Sequence, residues 1–289
     1  MRKGLLVLML LGAAVVAKAE VEFAYEAGAE VVSAYIWRGQ YNGGLSFQPD
    51  LEIGYDGDMT SLRFGAWGNI GASDWGFRKG LPLNDDDSDP NTRFMPELDL
   101  MLNFSIMGLT VGFTHYYYCD GSNFFSWQKQ DKIIEDENTS TTEFTAAYDF
   151  SELVGIGLYI NWNTTIAGND FIWLTDEETG DEYAKRAYSS YLEIGYDYTW
   201  DDLGLTLGGQ IGMSPWASDL YGNEKFAVTN LTLKLNKAWD LDVVELDLFA
   251  QGTLNPDHVN KNNAYIKASG DDKLYLQKLN GVIGLGIWF

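Results

Sequence analysis

Val21-Glu22-Phe23-Ala24-Tyr25-Glu26-Ala27-Gly28-Ala29-Glu30-Val31 is the stretch whose reading decides the fold. Every odd position is apolar. The even positions include Glu22, Glu26, Gly28 and Glu30. A repeat of two residues gives a strand one apolar face and one polar face. Residues 45–56 do the same, with Leu45, Phe47, Leu51, Ile53 and Tyr55 against Gln48, Asp50, Glu52 and Asp56.

The rhythm restarts after each turn, in stripes running Leu62–Ile70, Leu98–Ile106, Leu109–Phe113, Phe144–Phe150 and Ile156–Trp162. Five more run Leu192–Tyr198, Leu203–Ile211, Leu231–Leu235, Val244–Ala250 and Ile283–Phe289. With the first two this makes about 12 strands, an even number, as a single-chain bacterial barrel requires. Tight turns near 56–58, 107–108, 151–152, 201–202 and 236–240 alternate with long connections at 38–44, 75–93, 120–141, 165–186, 214–225 and 255–272. A meander through a membrane sorts its loops this way, with short periplasmic turns and long outer loops. A soluble sandwich has no reason to. The expected fold is an all-β, transmembrane antiparallel up-and-down barrel over 20–289.

Residues 1–19 read as a secretory signal peptide. Arg2 and Lys3 open it, Leu5 to Val16 is apolar, and Ala17-Lys18-Ala19 is a small-x-small cleavage site. That apolar run is too short to span a bilayer, and no later segment has the ~20 continuous apolar residues of a membrane helix.

The 289 residues carry 42 acidic side chains against 19 basic ones, a formal charge of −23. Such an excess repels nucleic acid, so no nucleic-acid partner is expected. The 31 glycines, 6 prolines and 15% aromatics suit a large β structure. Cys119 is the sole cysteine, so no internal disulfide forms. Aromatic residues collect at strand ends. Tyr25, Tyr55, Tyr198 and Phe289 are expected at the periplasmic rim, and Trp37, Phe94, Trp162 and Phe226 at the outer one.

Ser33-Ala34-Tyr35-Ile36-Trp37-Arg38-Gly39-Gln40 resembles the Ser-x-Tyr-x-Trp/Phe-Arg-Gly signature of the TorF-like porins, a family of bacterial outer-membrane proteins. The resemblance implies a barrel in that membrane but little chemistry. The terminal Ile283, Leu285, Ile287 and Phe289 resemble the strand read by the barrel assembly machinery. Other expected partners are outer-membrane lipid, lipopolysaccharide and small solutes.

Parity places Arg38 inward near the outer mouth and Trp37 toward lipid, with Arg38 bracing the hairpin through a carboxylate such as Asp50. The expected lumen face carries Asp50, Glu52, Glu97, Asp99, Glu193 and Asp197, with Glu245 and Asp247. Glu22, Glu26, Glu30 and Glu143 share it, against Arg63, Lys234 and Arg38. Arg63 is expected to pair diagonally with Glu52. The acidic excess favours cations.

Other chemistry finds little footing. His115 faintly echoes barrel lipases, but the position two residues on is Tyr117 and Ser122 lies seven away. Asp85, Asp87 and Asp89 begin like a calcium loop, yet Pro90 stands where glycine is required and Pro96 where glutamate is. Asp176, Glu177, Glu178, Asp181 and Glu182 form a second acidic loop of solvated charge. No catalytic residue, metal or cofactor is indicated. The sequence therefore leads to a passive porin-like channel. A structural or adhesion barrel with a closed lumen is the alternative, because about twelve strands lie between filled and open barrels.

Overall fold

Alternation that hides one face and exposes the other leaves each strand needing partners on both edges. Closing the sheet on itself is the solution that leaves none unpaired. The computed structural model describes residues 22–71, 97–118, 124, 140–176, 179–257 and 279–289. The signal segment, Asp85, Asp87, Asp89, Cys119, Ser122, Glu177 and Glu178 lie outside the described residues.

Sixteen strands are described, β1 to β16. Twelve of them close a barrel. In chain order these are β1 (Glu22–Val32), β4 (Ser46–Gly57), β5 (Thr60–Gly71), β6 (Glu97–Ile106), β7 (Leu109–Tyr118) and β8 (Thr141–Asp149). β9 (Leu158–Gly168), β12 (Ser190–Trp200), β13 (Leu205–Ser214), β14 (Ala227–Asp240), β15 (Glu245–Leu254) and β16 (Leu279–Trp288) complete it. Each pairs antiparallel with its predecessor in the wall, and β16 returns to β1 with Gly28 opposite Trp288 and Val32 opposite Gly284. This is the expected up-and-down meander.

The outer surface is apolar. Phe23, Tyr25, Leu51, Ile53, Phe64, Leu102, Phe113, Tyr196, Leu233 and Ile283 are all more than two-fifths exposed. So continuous an apolar surface marks a membrane or a partner. The inner face is polar and glycine-rich. Some of that glycine makes room for rings from the next strand. Tyr159 lies over Gly195, directly opposite it, and Phe249 over Gly284. A Cβ at either glycine would collide with the ring.

Two hairpins stand apart from the wall: β2 (Tyr35–Trp37) with β3 (Gln40–Gly43), and β10 (Phe171–Thr175) with β11 (Glu182–Arg186). Neither was expected: β10 and β11 fall in the connection at 165–186, while β2 and β3 straddle the start of the one at 38–44. The turn near 151–152 is also longer than expected and contains a helical turn, Ser151–Val154.

The first hairpin turns on Arg38 and Gly39, with φ of +48° and +88°. Two consecutive left-handed residues make the tight turn that matches strand twist. The hairpin folds into the barrel. Ala34 and Ile36 pack on the inward Val32, Phe249 and Val282, and a Cβ on Gly39 would strike the Thr229 carbonyl of β14.

Candidate lumen constriction

Folding the hairpin inward brings its tip to the far wall. Arg38 reaches β8, where Nη1 donates to Glu143 Oε1 at 2.6 Å and Nη2 to Oε2 at 2.8 Å. The fork matches the carboxylate in the bidentate geometry that arginine favours. Nη1 also donates to the Tyr221 hydroxyl at 2.7 Å, and Tyr116 OH donates to Glu143 Oε2 at 2.8 Å. The guanidinium carbon lies 4.6 Å from the Trp37 ring centre and 4.8 Å from that of Tyr191. Trp37 stacks on Tyr221 with an interplanar angle of 8°. The Arg38 and Glu143 side chains are only 13% and 1% exposed.

Two expectations are corrected here. Trp37 does not face lipid, because the hairpin carries it into the lumen against Tyr116 and Tyr221. Arg38 does not pair with Asp50. The tip crosses to β8 while Asp50 stays on the near wall, opposite Gly28 and Trp67. A third correction concerns Arg63. It stands opposite Gly54, and its salt bridge runs to the diagonal neighbour on the turn side, Asp56, and not to the one on the other side, Glu52.

Further contacts hold the hairpin. Gln40 Nε2 donates to the Leu220 carbonyl at 2.9 Å and Asn255 Nδ2 to the Gly39 carbonyl at 3.3 Å. Tyr35 lies 5.5 Å from Trp67, and its hydroxyl and that of Tyr118 lie beside Glu97. Glu97 and Asp99 are thus buried beneath the hairpin, 6% and 7% exposed. Glu193 accepts from Tyr191 at 2.6 Å and from Gln210 at 3.0 Å. These carboxylates were expected on the lumen face, with the openness of the lumen left undecided. They point inward and are packed into the constriction, because the hairpin and its aromatic neighbours fill the space over them.

The remaining inward groups lie on the short-turn side. Glu26 stands directly opposite Glu52, and Asp50 and Glu52 make no hydrogen bond or ion pair among the described residues. Asp197 faces the lumen beside Gly208, and Lys234 sits over the Phe249 ring. Asp247 accepts from Asn236 at 3.3 Å. Glu26, Asp240, Asp242, Glu245 and Asp247 ring a mouth cavity of about 520 Å³ beside Trp288 and Phe289. Two ion pairs are found among the described residues, Arg38–Glu143 and Arg63–Asp56. A carboxylate without a partner has to keep its water.

His115 points outward and is 6% exposed, with ring nitrogens 2.9 Å from Thr142 Oγ1 and 2.6 Å from the Phe124 carbonyl. It is a packed rim residue. In the terminal strand, Ile283, Leu285, Ile287 and Phe289 all face outward.

The long connections are clasped by a second buried group. Asp170 is fully buried and accepts from both the backbone N–H and the hydroxyl of Ser189. Ser189 Oγ in turn accepts from Ser218 Oγ at 2.8 Å and from Asp219 N–H at 3.0 Å. Burial raises the Asp170 carboxyl above the usual aspartate range against the pull of these donors.

A closed antiparallel barrel with an apolar outside and a charged, hairpin-narrowed inside has the architecture of a transmembrane β-barrel. The chain is similar to an outer-membrane channel from Pseudomonas putida F1, at 14% identity over 93% of this chain and 94% of that one, with a TM-score of 0.40. It is also similar to Pseudomonas putida OprB, at 11% identity over 96% and 95%, with a TM-score of 0.39. Salmonella typhi OmpF, solved with daunomycin, aligns at 12% identity over 94% and 98%, with a TM-score of 0.37. The identities are low and the superpositions loose. No protein-family model and no curated protein matches the sequence, so the resemblance of residues 33–40 to the TorF-like porins gains no support.

Proposed function

We propose that this protein is an outer-membrane channel for small solutes, cation-preferring, with the hairpin β2–β3 as its constriction. In this reading the short turns and both chain ends are periplasmic. Lipid and lipopolysaccharide surround the apolar wall, and the assembly machinery reads the terminal strand through Phe289. The protein acts by passive diffusion and not as an enzyme.

The observation that carries the reading is the unpaired acid of the inner wall. Glu26 faces Glu52 across a strand pair, with Asp50 beside them. Like charges set opposite each other destabilise a sheet unless water screens them. A hydrated, negative, low-dielectric tube concentrates cations and repels anions. The bidentate clasp of Arg38 on Glu143 favours a second reading, a structural barrel whose lumen the hairpin shuts.

Planar-bilayer recordings under a KCl gradient decide between them. The reversal potential is expected to favour K⁺ over Cl⁻, and more so in dilute salt, since the Debye length is ~10 Å at 0.1 M and ~3 Å at 1 M. Replacing Asp50, Glu52 and Glu245 with their amides should reduce the preference without loss of folding. Anion selectivity would contradict the charge reading. No conductance from folded protein would replace the channel by the closed barrel.

A further inference from the structure

Between the hairpin and the near wall lies a cavity of about 230 Å³. It is below the ~300–1,000 Å³ of pockets for drug-sized ligands. At ~30 Å³ per water it holds roughly seven or eight. Its lining is divided. Trp67, tilted 51° against the Tyr35 ring, forms an apolar side with Ile36 and Val282. The polar side carries Glu30 from β1 and Lys234 from β14. These two feel each other's field but form no ion pair. Lys234 Nζ rests 4.0 Å from the Phe249 ring centre, and neither charge has a hydrogen-bond partner among the described residues. Gln48 and Gln251 complete the lining. Each spends its amide N–H on a neighbour, Asn69 Oδ1 at 2.9 Å and Thr253 Oγ1 at 3.0 Å, which leaves its carbonyl oxygen for a donor.

We infer that this cavity is a binding site for small zwitterions with an apolar side chain, of the free α-amino-acid type. The ammonium of such a solute meets Glu30 and the glutamine carbonyls, its carboxylate meets Lys234, and its side chain lies against Trp67 and Ile36. A simple cation would leave Lys234 opposing it, and a simple anion would leave Glu30 doing so. A neutral polyol would displace water from both charges and neutralise neither. The zwitterion supplies one partner to each, and the hairpin puts the cavity directly beneath the constriction. As a statement about what the channel carries, the inference rests on the channel reading; as a statement about binding, it does not.

The test uses the full barrel refolded in detergent, with L-leucine, N-acetyl-L-leucine and L-leucinamide as probes in calorimetric titration. Leucine is expected to bind, and loss of either charge to weaken binding about tenfold or more. Glu30→Gln should erase the advantage of leucine over the acetyl derivative, and Lys234→Met its advantage over the amide. Should a variant fail to fold, the three probes on the unaltered protein still decide. Absent leucine binding, or equal binding of all three, overturns the inference. Conductance in KCl is recorded on the same preparation. Leucine binding without conductance upholds the site and removes the channel, whereas conductance without leucine binding removes the site alone.

Discussion

Arg38 sits at a left-handed φ of +48°, a conformation that side-chain-bearing residues rarely adopt. What holds it there is the pair with Glu143 across the lumen. Removing one partner of a buried pair leaves the other charge stranded, at a cost of about 3–5 kcal/mol. Arg38→Ala should therefore lower the denaturant midpoint of the refolded barrel. Arg38→Lys should recover only part of the loss, since an ammonium lacks the planar fork. Equal stability of all three proteins would mean that the clasp contributes nothing.

A second residue-scale prediction concerns Asp170. Burial raises its carboxyl. The sign follows from linkage. Its contribution to the loop clasp is full below the unfolded value and is lost as pH rises through the folded one. Amides of residues 187–190 should show greater hydrogen-exchange protection, corrected for intrinsic rates, at acid pH than at neutral pH. Asp170→Asn should abolish the difference. Protection that grows with pH would reverse the assignment.

At the scale of the strand, the two-residue rhythm made each wall element readable, because side-chain direction in a strand is a local property. Boundaries slipped where a turn borrowed apolar residues, as at Ile156 and Leu203, which fall in turns before β9 and β13, and where a strand outran its apolar stripe: β14 continues through 236–240, expected as a turn, and β9 runs on to Gly168. The ring-over-glycine pairs were not readable. Gly195 and Tyr159 lie 36 positions apart by number, and nothing local links them. Gly195→Ala and Gly284→Ala should each cost about 1–3 kcal/mol, since the facing ring must leave its rotamer. Gly252→Ala and Gly281→Ala meet open space and should be neutral. Thermal unfolding of the four variants checks this, and a uniform effect would argue that ring packing is irrelevant.

Over the whole molecule, a polar lumen and an inward hairpin pull the function in opposite directions. Unpaired acids on the short-turn side require water, while Arg38, Trp37, Tyr116, Tyr191 and Tyr221 crowd the long-loop half. Carrying the strand parity of β1 onward through 35–38 assigned Trp37 to lipid and Arg38 to the near wall. Parity ends where a chain leaves the wall, and the contact that redirects it spans 105 positions. Sequence rhythm thus located the inner wall but not which of its acids the hairpin would cover. The most direct measurement is single-channel conductance of the native barrel against a variant in which residues 34–43 are replaced by a short glycine-serine link. If the hairpin is the constriction of a hydrated lumen, the native protein conducts in small steps and the variant in markedly larger ones, with cation preference retained. Equal conductance of the two folded proteins would contradict it.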